Sequence, residues 1–132
     1  MIYLLDVNAL LALAHSAHVH HVRTERWVAA LRRIDRLATC SITELGFVRV
    51  APQARLSPDV PAACDLLALL RRARRPKFVR LSDNLGVDSL PPWVRVPAQT
   101  TDGHLVALAA ASDARLATLD EGIPQSLVIP NP

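Results

Sequence analysis

"YLLDVNALLAL", residues 3–13, is an apolar run broken by one carboxylate, Asp6, and one amide, Asn8. A carboxylate among apolar neighbours is costly unless it is paired, hydrogen-bonded or holding a metal. Asp6 therefore marks an end. Ile2–Leu5 reads as a short buried strand stopped by Asp6, and residues from about 9 to 15 read as a helix that Asn8 can cap.

Outward from this stretch the same alternation recurs. An amphipathic helix is expected over about 18–34, with Val22, Trp27, Val28, Leu31 and Ile34 on its apolar stripe. Leu37–Cys40 reads as a second strand, followed by a helix from Ser41 to about Val50, with Pro52 beyond its end. A further helix runs from Ser57–Pro58 to about Arg74, and Phe78–Leu81 is a third strand. Residues 82–99, with Gly86 and Pro91, Pro92 and Pro97, form a long loop. Thr101–Ser112 is an Ala/Leu-rich helix, and Arg115–Thr118 and Leu127–Ile129 are the last strands. Strands alternating with helices predict a three-layer α/β/α sandwich with a mainly parallel central sheet.

The chain of 132 residues suits one domain with a real core. With 51% hydrophobic and 4% aromatic residues, that core is Leu, Val and Ala. Repeats and low-complexity segments are absent, and the apolar runs are too short to cross a membrane. A signal peptide is not expected, because the N-terminus lacks a basic region and Asp6 interrupts the apolar run. Two cysteines, Cys40 in a strand and Cys64 in a helix, make no disulfide framework. Two buried, reduced thiols and a cytoplasmic location are expected.

Net charge is +3, and all fifteen basic side chains except Lys77 are arginine. Arg23, Arg26, Arg32, Arg33 and Arg36 form one cluster; Arg71, Arg72, Arg74, Arg75, Lys77 and Arg80 form another. Forked guanidinium groups suit phosphate. The clusters read either as solvated helix faces or as a phosphate-backbone footprint.

Ligands of open α/β sheets bind beyond the carboxyl ends of the strands. Asp6 follows the first strand, Glu44 lies in the first turn after the second, and Asp120 follows the fourth in "LATLD". Asp102 opens the helix before the fourth strand. Right-handed crossovers place that helix start at the same edge. Each residue also suits a local role. Ser41-Ile42-Thr43-Glu44 and Thr118-Leu119-Asp120-Glu121 match capping boxes, and Asp102 suits a helix start. Local capping, however, does not require the four acids to converge. At ~4 Å and an effective dielectric of 20, each like-charged pair costs about 4 kcal/mol. A divalent cation or a retained proton must offset that. Oxygen-only ligands suit Mg²⁺ or Mn²⁺.

Three blocks, "LLDVNALLAL", "ATCSITELGFVRV" (38–50) and "TTDGHLVALAAASDARLATLDEGI" (100–123), carry the order Asp…Glu…Asp…Asp with T-x-D at the fourth acid. In this the chain resembles the PIN-domain ribonucleases, and among them the VapC-type toxins of bacterial toxin–antitoxin pairs. The resemblance is weakest across 51–99. It implies a single PIN domain over 1–132 and a metal-dependent endoribonuclease. Asp6, Glu44, Asp102 and Asp120 would be its acids and Mg²⁺ or Mn²⁺ ligands. Asn8 would orient Asp6 or a water, and Thr118 and Thr43 would stand behind the acids. The substrate would be structured RNA (a transfer RNA or a ribosomal RNA), the partner a VapB-like antitoxin, and the chain a homodimer. Gly103 departs from the family, which more often has a larger residue there.

Two alternatives compete. One is a catalytically silent PIN-like module that binds RNA or protein. The other is a phosphatase with Asp6 as nucleophile, which would need an essential lysine where only Lys77 is present. "HVHH", residues 18–21, lacks partners at zinc-ligand spacing and reads as an exposed helix start, with RNA contact the functional alternative. His104, two residues from Asp102, points elsewhere on its helix. Trp27 and Trp93 read as packing residues.

Overall fold

In the computed structural model, which describes all 132 residues, five strands form one sheet. They are β1 (Ile2–Leu5), β2 (Arg36–Thr39), β3 (Lys77–Arg80), β4 (Ala114–Thr118) and β5 (Leu127–Val128). The order is β3-β2-β1-β4-β5, and every pairing is parallel. Leu4 of β1 pairs with Ala38 of β2 on one side and Leu116 of β4 on the other. Every strand therefore ends at one shared edge, with β1 at its centre.

Five helices cover the sheet: α1 (Val7–Ala14), α2 (His21–Ala29), α3 (Ser41–Gln53), α4 (Val60–Arg71) and α5 (Thr100–Ala111). Strand alternation splits the core in two. Leu5, Leu37, Phe78 and Ala117 face a cluster built from α1, α3 and α4, with Trp27 of α2 packed against it. Leu4, Ala38 and Leu116 face α5, through Leu105, Leu108 and Ala109. Three layers result, as the alternation of elements predicts. No helix is long and apolar enough to cross a membrane.

Several local expectations are corrected. Helix α1 begins two residues early because Asp6, not Asn8, caps it: its carboxylate accepts from the Ala9 N–H at 2.8 Å. The predicted 18–34 helix shrinks to α2. Residues 16–20 form turns, and Val22 and Ile34, expected on the apolar stripe, are exposed. Thr24 is the fully buried residue of α2, its hydroxyl donating back to the His20 carbonyl. Pro52 lies inside the last turn of α3 rather than beyond it. Helix α4 starts at Val60, capped by the Asp59 carboxylate, and stops at Arg71. Cys64 is exposed, so only Cys40 is a buried thiol; both are free.

The long loop holds two 3-10 turns, Val87–Ser89 and Pro97–Gln99. It is pinned to α5 by a short hydrogen bond between the His104 ring and the Asp83 carboxylate. Trp93 packs against the α5-side core and donates its N–H to Gln125. Trp27 meets Tyr3 edge-on, with ring centroids 5.2 Å apart. Both tryptophans thus pack, as the sequence suggests.

Gly103 has a packing reason. A Cβ there would collide with Val94 Cγ2 and stand 3.4 Å from Pro91 Cδ. The glycine lets the loop lie directly on the first turns of α5. Gly103→Ala gains about 1 kcal/mol of helix propensity but meets a stiff β-branched side chain, and overpacking costs about 1–3 kcal/mol. We expect a net loss of about 1 kcal/mol, read as a lowered urea midpoint with an unchanged m-value.

Candidate active site

Asp6 directly follows β1 and is buried, 8% exposed. One carboxylate oxygen caps α1; the other accepts a short hydrogen bond from the Thr118 hydroxyl. Thr118, the last residue of β4 and fully buried, also accepts from the Asp120 backbone N–H at 2.9 Å. The T-x-D motif is therefore a relay. The threonine side chain ties the first acid to the turn that carries the fourth. Asp120 closes that turn itself, accepting from the Gly122 N–H at 2.7 Å. No helix starts there, so the capping-box reading of Thr118–Glu121 does not hold.

Asp102 sits in the first turn of α5, at the same edge. Asp102 and Asp120 are near enough for their charges to act on Asp6. Burial pushes the Asp6 carboxyl above the usual aspartate range, the Thr118 and Ala9 hydrogen bonds oppose this, and the charges of Asp102 and Asp120 add to the rise. Asp102 is raised by burial and by Asp120. Like charges in one site disfavour ionisation in this way.

Glu44 is at the same edge but in other company. Its carboxylate accepts from the Thr39 hydroxyl at 2.7 Å. Arg71 Nη1 and Arg80 Nε lie 3.7 and 3.9 Å from the same oxygen. Thr39 ends β2 as Thr118 ends β4, so each acid is held by a threonine at a strand terminus. The capping box of α3 is Cys40–Thr43, not Ser41–Glu44: the Thr43 hydroxyl accepts from the Cys40 N–H at 3.0 Å. Thr43 is thus turned into the α3 cap, away from the acids. Asn8 is exposed and makes no hydrogen bond to Asp6, whose two oxygens are taken by Ala9 and Thr118. It lines a concavity with Asp120, Leu119, His18 and His20.

Sequence reasoning missed that neighbourhood. His18 and His20 flank Asp120 because residues 16–20 form turns in place of the predicted helix. Burial and the charges of His20, His15 and His21 lower the His18 pKa. His15 is the C-cap of α1, bonded to Ser57 at 2.9 Å and stacked on Phe47. His21 bonds the Ala12 carbonyl and pairs with Glu25. Arg71 and Arg80 were also missed as site residues, since only the fold brings α4 and β3 to Glu44.

A parallel sheet with aspartates gathered at its carboxyl edge is the plan of a PIN domain, and the PIN domain family model matches residues 3–125. The relatives narrow it further. Ribonuclease VapC38 of Mycobacterium tuberculosis is 40% identical over 124 residues, covering 91% of this chain and 86% of that protein. Ribonuclease VapC44 of the same species is 42% identical over 132 residues, covering 95% and 90%. The chain belongs to the PIN-domain family and, within it, to the VapC ribonucleases. The fold agrees. M. tuberculosis VapC20, described as a Sarcin-Ricin loop cleaving toxin, superposes with a TM-score of 0.64 at 13% identity over 92% of both chains. A chain of VapBC2 from Rickettsia felis, bound to a promoter DNA fragment, superposes at 0.66 with 17% identity over 96% of both.

The raised Asp6 carboxyl sets a pH dependence. A folded pKa above the ordinary value of 3.8 means that the charged form costs stability at neutral pH. The cost fades as pH falls through the raised pKa and is gone below 3.8. Asp6→Asn removes that charge and keeps an oxygen for the cap. We expect the metal-free variant to melt at or above the parent at pH 7, with the gap closing as pH falls toward 4. Paired melting curves check this; a gap that widens in acid would be inconsistent with the clustered charge.

Proposed function

We propose that this chain is an endoribonuclease toxin that cleaves structured cellular RNA and is neutralised by a VapB-like antitoxin. One observation carries the reading: Asp6, Asp102 and Asp120 lie at the carboxyl edge, where burial and the neighbouring carboxylates raise Asp6 and Asp102. A catalytically silent module would have no need to keep three acids in that costly arrangement. The Asp-nucleophile phosphatase is disfavoured, because Lys77 begins β3, at the amino edge and away from Asp6.

The donor set fits a hard divalent cation. All its donors are oxygens, and repulsion among them is what a cation would relieve. No three His, Cys, Asp or Glu side chains stand together as a preformed cage. Asp6, Asp102 and Asp120 would hold Mg²⁺ or Mn²⁺, with Glu44 at the flank, balanced by its arginines. When bound, the ion supplies a Lewis acid and a water of lowered pKa at the phosphodiester.

The chain's own residues do the rest. Thr118 donates to Asp6 and so fixes which oxygen is free of the α1 cap. The Asp120 turn is held by Thr118 and Gly122, which keeps that carboxylate at the edge. Asp102 is carried on a helix whose start is braced by the loop packed against Gly103. Three fixed acids repel an unneutralised phosphate, so cleavage needs their charge offset. The same field would draw an antitoxin's basic side chain into the site.

The test is cleavage of structured RNA by the antitoxin-free chain, with Mg²⁺, with Mn²⁺ and with chelator. We expect activity with metal and none in chelator. Asp6→Asn and Asp102→Asn should each lose a hundredfold or more, the scale of a removed electrostatic group, while staying folded. The purified toxin–antitoxin pair should be silent. Full activity in chelator or in Asp6→Asn would remove the metal-site reading. The family also leads us to propose a cytoplasmic homodimer. Light scattering at tens of micromolar, roughly ordinary assay concentration, should give twice the chain mass.

A further inference from the structure

The arginine clusters do not lie where their sequence spacing suggests one continuous footprint. Arg33, Arg36, Arg74, Arg75 and Lys77 share a depression at the amino edge of the sheet, away from the acids. Arg32 is taken by Asp35 and Arg23 by the Ile129 carbonyl. Arg71 and Arg80 are different: both guanidinium groups reach Glu44 at the carboxyl edge. They do so beside a cavity of about 420 Å³ between α3 and α4, lined by Ser41, Leu45, Val48 and Leu67. That volume is in the range of small-molecule sites, about 300–1,000 Å³.

We propose that this cavity is a nucleotide subsite. It seats the nucleotide next to the cleaved phosphodiester, with a phosphate on Arg71 and Arg80 and the base against Leu45, Val48 and Leu67. The proposal rests on the ribonuclease reading above and names where its RNA lies.

Four observations support it. The charge is in surplus, since two guanidinium groups share one carboxylate. Donors are left over: at 3.7 and 3.9 Å, Arg71 and Arg80 are ion-paired to Glu44 without a hydrogen bond to it, and Arg71 Nε is buried with no partner. Arg80 donates to the Ser41 hydroxyl at 3.1 Å, which fixes its fork at the start of α3, where helix N–H groups also favour an anion. Finally, the distance is right. β3 and β1 are separated by β2, so Arg80 stands two strand spacings, about 10 Å, from the strand of Asp6. That is within reach of a neighbouring nucleotide on a strand held over the aspartates. An acidic protein segment would satisfy the arginines, but forked donors beside an apolar wall match a phosphate joined to a flat base.

The experiment uses the full chain carrying Asp6→Asn, in chelator, so that RNA is bound and not cut. The probe is a fluorescein-labelled single-stranded oligoribonucleotide followed by anisotropy. Adding Arg71→Gln and Arg80→Gln should weaken binding about tenfold or more, the scale of one lost charge-assisted hydrogen bond. The log Kd against log salt slope should fall by about 0.7 per phosphate contact removed. Cys64 gives a second readout. It lines the cavity and is exposed, whereas Cys40 is buried. The oligoribonucleotide should slow Cys64 alkylation, and the arginine variant should lose that protection. Should the glutamine pair not fold, Arg71→Lys with Arg80→Lys, which keeps charge and loses the fork, should weaken binding and protection in the same direction.

RNA that binds equally well to the arginine variants, or that leaves Cys64 unprotected, overturns the subsite and leaves the ribonuclease reading standing. Equal protection by a polyglutamate peptide of matched charge overturns it in favour of an acidic protein partner. A parent chain that neither binds nor cleaves RNA removes both readings together.

Discussion

The structure turns on a buried carboxylate that must be fully hydrogen-bonded. Asp6 ends the central strand, where its charge has little water to lean on. An unpaired ion there would cost several kcal/mol. Its two oxygens are satisfied by two elements: the first turn of α1 and the last residue of β4. Those bonds fix where the helix begins and how β4 ends. Through Thr118 they also fix the turn that carries Asp120. A single desolvated group thus sets the positions of the parts that face it, and these are the parts that form the candidate site.

Parallel pairing does the gathering. With all five strands pointing one way, whatever follows a strand is delivered to the same edge. Across that edge the charge changes sign. Arg80 follows from β3, Glu44 from β2, Asp6 from β1 and Asp120 from β4. Glu44 is neutralised by Arg71 and Arg80, so its charge costs little. The three aspartates have no cationic partner, and burial together with the neighbouring charges raises the carboxyls of Asp6 and Asp102. The fold keeps its unbalanced charge at the centre of the edge and its balanced charge at the side. Residues at functional sites are often held against their own stability in this manner.

The second layer has a supporting part. The 81–99 loop has little regular structure, yet it lies tightly against α5. Gly103 permits the contact, the Asp83–His104 bond holds it, and Trp93 fills the gap below. Asp102 is borne on the turn that this loop braces. Gly103 is here a close-packing residue of the wall behind an acid.

The sequence alone determined the alternation of strands and helices, the parallel layered plan and the four acids in order. Those features rest on local pattern: short apolar runs, capping residues and carboxylates where apolar runs end. It also showed that Asp6 needed a partner, because burial was legible from its neighbours. Tertiary structure decided who the partners are. Thr118 and Asp6 are 112 residues apart, and no local rule pairs them. Asp6 rather than Asn8 caps α1, and Cys40–Thr43 rather than Ser41–Glu44 caps α3, since which of two adjacent polar groups turns inward depends on the packed environment. The same holds for Glu44, which reads as one of four converging acids but is drawn aside by arginines from α4 and β3. The histidines of 18–20 flank Asp120 because the chain turns there instead of continuing a helix. Local propensity sets where elements begin and end to within a few residues. Contacts between distant charges and hydrogen-bonding groups exist only once the sheet has closed around β1.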